Sequence, residues 1–103
     1  MSSARDFLFK ASVPEREISV GGEVVTVRGL TTRGKDELQE AAMNGQGFRA
    51  AILRATCYLK GKPLFKADDD VGNIPSHLTE ELVNAAIELA AMTAAEVDEL
   101  EKN

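Results

Sequence analysis

The stretch that decides the fold reads Glu17-Ile18-Ser19-Val20-Gly21-Gly22-Glu23-Val24-Val25-Thr26-Val27-Arg28. Two runs rich in β-branched residues flank a Gly-Gly pair that can adopt the positive φ angles of a tight turn, so the stretch predicts a β-hairpin. Residues that oppose each other across the turn share one side. Four apolar residues therefore form one surface: Ile18, Val20, Val25 and Val27. Because an isolated hairpin is marginal in water, this surface must pack on helices or meet another chain.

Helical patterns follow the hairpin and predict an α+β fold, mostly helical, in which the N-terminal β-hairpin packs on a bundle of three to four helices. Thr31 or Thr32 can cap the first helix, and Thr93 with Glu96 fits a capping box that begins a short last helix. The longer helices are predicted over about residues 33–43, 48–59 and 76–92. The apolar stripe of the third comprises Leu78, Leu82, Ala85 and Leu89.

The remaining segments give weaker signals. The segment from Ser2 to Pro14 holds Phe7-Leu8-Phe9, which fits either a short helix or an extended arm, and Pro14 ends it. Leu64 and Phe65 lie in an extended step. The run Asp68-Asp69-Asp70 precedes a short turn around Val71. We expect residues 1–103 to form a single domain.

Composition excludes several classes of function. Twelve Lys and Arg residues against seventeen Asp and Glu residues give a net charge of −5, which disfavours nucleic-acid binding and docking on an anionic membrane. No apolar run reaches the roughly 18–20 residues of a membrane span, and the N-terminus lacks a signal peptide's uncharged core. A single cysteine, Cys57, allows no internal disulfide, so we expect a reducing cytoplasm.

The sequence predicts no catalytic, cofactor or metal site. His77 is the only histidine, and Cys57 fits a buried position better than a reactive one. The aspartate run lacks the glycine and glutamate that an EF-hand requires at its sixth and twelfth positions, so helix capping explains it better. The two helices that flank Gly45-Gln46-Gly47 could be interpreted as a helix-turn-helix, but the acidic charge opposes that interpretation.

Apolar surface remains as the candidate for function. The hairpin surface, the arm Phe7-Leu8-Phe9 and the pair Leu64 and Phe65 are candidates for self-association or partner binding, and the second strand is a potential sheet edge. Packing inside the chain is the alternative for each, and the sequence leaves both open.

Particular residue strings add a resemblance. They are Val25-Thr26-Val27-Arg28-Gly29-Leu30-Thr31, Gly61-Lys62-Pro63-Leu64-Phe65 with the aspartates behind it, an Ile74-Pro75 step before a leucine-spaced helix, and the terminus Glu101-Lys102-Asn103. In this order, from about Phe7 to Asn103, the chain resembles the tail assembly chaperone family of long-tailed bacteriophages.

The resemblance implies a non-enzymatic protein without cofactors. Members escort the tape measure protein in the host cytoplasm while tail tube protein polymerises around it, they commonly form homo-oligomers, and they are absent from the finished virion. Many also have a longer product of a programmed frameshift. Codons for Glu101-Lys102-Asn103 can contain a slippery sequence, which the last nine bases of the reading frame would reveal. The alternatives are another morphogenesis protein, such as a head–tail connector or minor structural subunit, and a small DNA-binding regulator.

Overall fold

The structure is a computed structural model that describes residues 3–102. Ser2 and Asn103, which the sequence analysis includes in the two terminal segments, lie outside the described residues. The predicted α+β class is confirmed. The helices are α1 (Ser3–Lys10), α2 (Thr32–Ala41), α3 (Phe48–Thr56), α4 (Ser76–Leu89) and α5 (Ala94–Glu101). The strands are β1 (Glu15–Val20), β2 (Glu23–Arg28), β3 (Cys57–Leu59) and β4 (Lys62–Pro63).

The four strands form one antiparallel sheet in the order β1-β2-β3-β4. Gly21 and Gly22 have φ angles of +58° and +86°, which confirms the tight turn between β1 and β2. The predicted register is also confirmed, since Ile18 lies opposite Val25.

Two predictions about the sheet are wrong. The second helix was expected to reach residue 59, but α3 ends at Thr56 and the next three residues form β3. The predicted sheet edge on β2 does not exist, because Thr26 and Val27 pair with Tyr58 and Cys57. The outer strands of the sheet are β1 and β4. Residues 57–59 continue the helical pattern of the sequence, but their pairing with β2 makes them a strand. Whether a short segment becomes a strand depends on its tertiary neighbours.

The core lies between the sheet and the helices. α4 packs against β1, β2 and α3, and the inner side of the sheet contributes Ile18, Val25 and Val27, all buried. The helices and the turn before α4 supply the other large buried side chains: Leu38, Phe48, Ile52, Leu53, Val71, Leu82, Val83 and Leu100. Among residues 3–102, no helix has both the length and the apolar character that crossing a membrane requires.

Two residues of the predicted apolar stripes lie outside the core. Val20, at the hairpin turn, is 38% exposed, and Leu78, in the first turn of α4, is 58% exposed. Each lies near one end of its element, whereas Ile18 and Leu82, further along the same elements, are buried. Hydrophobic periodicity predicts the side of an element but not how far along it the core extends.

Helix ends follow local side-chain chemistry. Thr31 caps α2 by accepting a hydrogen bond from the backbone N–H of Gly34 at 3.0 Å. The predicted capping box of α5 is confirmed, since Thr93 and Glu96 each accept a hydrogen bond from the other's backbone N–H. Beyond α2, residues Ala42–Gln46 form one wide turn in which the backbone leaves helical geometry.

The end of α4 differs from the prediction that it reaches residue 92. The helix ends at Leu89, and Ala91 adopts a left-handed conformation with φ of +54°. The Met92 N–H then donates to the Ile87 carbonyl at 3.1 Å, and the Ala91 N–H donates to the Glu88 carbonyl at 3.0 Å. This pair of hydrogen bonds is the Schellman arrangement, in which glycine usually occupies the left-handed position.

We expect Ala91→Gly to stabilise the protein by about 0.5–1 kcal/mol, because left-handed backbone costs a non-glycine residue about 1–2 kcal/mol and glycine loses part of that gain through unfolded-state entropy. Urea unfolding measures the change. The control Ala95→Gly places glycine at a helical position of α5 and should be destabilising. A loss of stability in Ala91→Gly would contradict the prediction.

Gly29 lies at a close approach of three segments. Its N–H donates to the Pro14 carbonyl at 2.8 Å, and a Cβ at this position would lie 2.7 Å from the carbonyl oxygen of Leu89 and 3.0 Å from the Pro14 ring. The backbone at Gly29, directly after β2, therefore contacts the end of α4 with no room for a side chain.

Gly29→Ala should destabilise the protein by about 1–3 kcal/mol, because the added methyl group collides with backbone that cannot rotate away. The midpoint of urea unfolding checks this. In the matched control Gly72→Ala, the new Cβ would have only Asp70 Oδ1 nearby, at 3.7 Å, so we expect little change. If both substitutions change the free energy of unfolding equally, the backbone at Gly29 does not lie as close to the Leu89 carbonyl oxygen in solution as in this structure.

Candidate functional site

The most exposed large apolar side chains of the described residues lie on α1. Phe7, Leu8 and Phe9 are 72%, 71% and 77% exposed, and α1 buries none of its residues. The sequence left a helix and an extended arm open for this segment, and the structure has the helix. These three residues do not pack inside the chain, so of the two alternatives that the sequence left open for them, the structure agrees with an exposed surface.

The apolar residues of α1 form a stripe. At about 100° per residue, Ala4, Phe7 and Leu8 fall within one arc of the helix, and Ala11 continues it because its N–H donates to the Phe7 carbonyl at 3.0 Å. This spacing is the pattern by which a helix docks into an apolar groove or against another helix. We refer to Ala4, Phe7, Leu8 and Ala11 as the α1 stripe.

Phe9 lies outside the α1 stripe. It is next to Arg5, whose Cζ atom lies 4.7 Å from the centroid of the Phe9 ring, a cation–π contact between residues one turn apart. On the same helical projection, Arg5 borders the α1 stripe beside Leu8, and Lys10 borders it beside Phe7. A partner surface for α1 should therefore be apolar in the middle and acidic at its margins.

The other predicted binding residues behave differently. Ile18, Val25 and Val27 are buried in this chain's own core, so the interpretation that they form a binding surface is corrected: α4 already covers them. Of the hairpin surface, Val20 alone stays partly exposed.

Leu64 and Phe65 are half-buried and pack against the core. The Leu64 N–H donates to the Cys57 carbonyl at 3.0 Å, which fixes the step to β3. Packing inside the chain, the alternative that the sequence left open, accounts for both residues.

The chemically reactive side chains are dispersed. His77 is exposed in the first turn of α4, and Cys57 is fully buried in β3. Burial raises the pKa of the Cys57 thiol, against a weaker opposing contact with the Thr56 hydroxyl. Among residues 3–102, no three His, Cys, Asp or Glu residues are grouped to hold a metal ion.

The aspartate run does not cap a helix as predicted. Asp70 precedes the short 3₁₀ turn Val71–Asn73 without a capping hydrogen bond from its side chain. Asp69 Oδ2 instead accepts from the Lys66 N–H at 2.8 Å, and Arg54 donates to the carbonyl oxygens of Lys66 and Asp69. These hydrogen bonds fix the loop of residues 66–69 against α3, so Asp69 and Arg54 have a structural role here.

A groove of about 490 Å³ lies beside α2, α3 and β3, with Tyr58 and Arg28 in its wall. Arg28 lies over the Tyr58 ring, 4.3 Å from Cζ to the centroid, and pairs with Glu15 at 2.8 Å. Arg54 also lines this groove and is bound to the backbone carbonyls described above. Because both arginines already have partners within the chain, the groove offers no built site for an anionic ligand.

A second groove of about 490 Å³ lies between α5 and the end of α2 with its following turn, and we refer to it as the α2–α5 groove. Its lining is Gln39, Met43, Ala95, Glu96, Glu99 and Leu100. Met43 is 66% exposed, whereas Leu100 is buried at the base. Sequence reasoning missed Met43 as a surface residue. The available signal was its position on the polar side of the α2 helical pattern.

Glu96 connects the two walls of the α2–α5 groove. Its Oε1 accepts from the Thr93 N–H at 3.0 Å, and its Oε2 lies 3.1 Å from the Lys35 ammonium group of α2. The hydrogen bond from Thr93, followed by that from Lys35, lowers the pKa of the Glu96 carboxyl group. The charged form of Glu96 is therefore favoured by folding.

A carboxylate with a lowered folded-state pKa stabilises the protein above the ordinary glutamate pKa of about 4.3, and this contribution disappears as the pH falls through the folded-state value. Glu96→Gln should thus be less stable than the parent at pH 7, with the gap closing below about pH 4. Urea unfolding at a series of pH values tests this. Glu23→Gln, which removes a carboxylate at the hairpin turn, controls for net charge. A gap that does not change with pH would contradict the linkage.

Comparisons of this chain with models of known protein families, with characterised proteins and with solved structures find no match.

Proposed function

We propose that this chain is a tail assembly chaperone of long-tailed bacteriophages. It binds the tape measure protein in the host cytoplasm while tail tube protein assembles around that polymer, and it does not remain in the virion. The observation that carries the proposal is the α1 stripe, which holds Phe7 and Leu8 in solvent on a helix outside the folded body.

An exposed stripe of this kind supports a binding role. Burying a Leu or Phe side chain contributes about 1.5–3 kcal/mol, so α1 gains free energy from any helix or groove that covers its stripe. Only two large side chains take part, which makes each contact weak. A long helical partner offers many such contacts, and many weak contacts give tight but reversible coverage. A chaperone that leaves the finished particle needs this combination.

The charge of the chain supports the same role. A net charge of −5 on 103 residues keeps chaperone copies and their cargo dispersed before assembly. The proposed role is non-enzymatic, and the stripe acts through burial alone.

Co-expression with the tape measure protein from the same genome tests the proposal. We expect the parent chain to keep the tape measure protein soluble and to co-purify with it, and Phe7→Ser with Leu8→Ser to lose most of this capture. The control Leu78→Ser removes another exposed leucine, 58% exposed on α4, and should retain the capture. Full capture by the double variant would show that α1 is not the binding element.

Mass spectrometry of purified virions separates the chaperone from a head–tail connector or minor structural subunit. We expect the chain to be missing from finished particles. Stoichiometric amounts in the virion would overturn the proposal in favour of a structural subunit.

A further inference from the structure

We propose that the α2–α5 groove is a docking site for a basic amphipathic helix of another protein, a helix whose apolar stripe has Lys or Arg residues along both margins. The groove shares no residue with the α1 stripe, so it is a second binding surface of the chain. The proposal does not rest on the proposed function, because it follows from the chemistry of the groove alone.

An exposed apolar centre makes the groove a binding surface. Met43 is exposed at the rim, Leu100 closes the base, and Ala95 lies on the α5 wall. Methionine adapts its shape to aliphatic and aromatic partners, and the small side chain of Ala95 lets a second helix approach α5 closely. A row of apolar side chains that enters the groove removes Met43 from water, which favours binding.

The walls of the groove favour a helix over an extended peptide. Gln39 belongs to α2 and four of the lining residues belong to α5, and the backbone groups of helical residues are mostly paired within their own helix. An extended peptide would therefore lose the water around its backbone N–H and C=O groups and find few partners for them here. A helix has already paired these groups and brings only side chains into the groove.

Carboxylates border the apolar centre on both sides. Glu96 and Glu99 lie on the α5 wall. On α2, Asp36 and Glu40 each precede a lining residue by three positions and so share its side of the helix. Asp36 and Glu40 are exposed, and neither has an ion-pair partner among residues 3–102.

Few cations oppose these carboxylates. Lys35 of α2 is already paired with Glu96 at 3.1 Å, and Lys102, which follows α5, does not line the groove. The margins of the groove therefore carry an excess of negative charge. A helix bordered by Lys or Arg is complementary to them, whereas a helix bordered by Asp or Glu is repelled.

The same charges distinguish this partner from others. The α1 stripe is bordered by Arg5 and Lys10 and favours acidic margins, so the two surfaces of the chain select different partner segments. The helix α1 of a second copy matches the groove only weakly, because Asp6 offsets one of its two cations. A helix with several cations along both margins is the better occupant.

Two synthetic peptides test the charge preference. Both are helices of about five turns, or about 18 residues, with the same Leu and Ala stripe, and one has Lys and the other Glu along both margins. Fluorescence anisotropy measures their binding to the full chain. At low salt we expect the Lys peptide to bind about tenfold more tightly than the Glu peptide or better, and added salt should shrink this advantage. Equal affinities, or no binding of the Lys peptide at millimolar chain concentration, would overturn the proposal.

Two variants locate the peptide in the groove. Met43→Ser removes the exposed apolar rim and should weaken binding of the Lys peptide about tenfold. Asp36→Lys with Glu40→Lys reverses the charge of the α2 margin and should make the Glu peptide the tighter ligand. Circular dichroism checks that both variants are folded. If Met43→Ser binds as tightly as the parent, the proposal is wrong.

Matched controls change the same properties outside the groove. Leu78→Ser removes an exposed leucine of α4, and Glu23→Lys with Asp68→Lys changes the net charge by the same amount as the α2 variant. Both controls should keep the parent's preference for the Lys peptide. A reversed preference in the charge control would show that net charge, and not the groove, determines binding, which would also overturn the proposal.

A variant of the α1 stripe separates the two surfaces. Phe7→Ser with Leu8→Ser should bind the Lys peptide with the parent's affinity. Lost binding would place the peptide on α1, and tighter binding would show that α1 of a second copy occupies the groove in the parent. Either result overturns the proposal. Because no peptide experiment involves the tape measure protein, failure here and failure of the proposed function are separate results.

Discussion

The packing of the hairpin's inner side against α4 is the interaction on which the rest of the structure depends. It buries Ile18, Val25 and Val27 in one step and so fixes which side of β2 faces inward. With β2 held in this orientation, its second edge is available to Cys57–Leu59, and the sheet grows to four strands. On the hairpin, Val20 and Val24 remain exposed, at 38% and 51%. The core does not use α1, whose apolar side chains stay exposed.

The parts of the fold that the sequence predicts are those whose cause lies within a few residues. Gly21-Gly22 sets a turn, and the capping box from Thr93 to Glu96 begins a helix, because donor and acceptor are close along the chain. Cys57–Leu59 could not be predicted in the same way. Its residues continue a helical pattern, and they become a strand because β2, distant in the sequence, offers unpaired backbone groups. The local sequence pattern does not indicate that such a neighbouring strand will be present.

The candidate site likewise has one part that the sequence predicts and one part that only the fold creates. Phe7 and Leu8 are recognisable from the sequence as apolar residues outside the helical body, although their stripe requires the helix to be known. The α2–α5 groove is different, since Met43 and Leu100 meet only through tertiary packing. Val20 and Val25 illustrate the limit most clearly: they lie on one side of one hairpin, yet only Val25 reaches the core.

The exposed edge of β1 has a consequence for how this protein meets its neighbours. Three consecutive charged residues, Glu15, Arg16 and Glu17, occupy the first half of that edge, and Arg16 is paired with Glu88 of α4 at 3.1 Å. Charges at a strand edge oppose the addition of a further strand from another molecule. Copies of the chain that meet at high concentration are thereby kept from pairing edge to edge into extended β-structure, the route by which sheets form irreversible fibres.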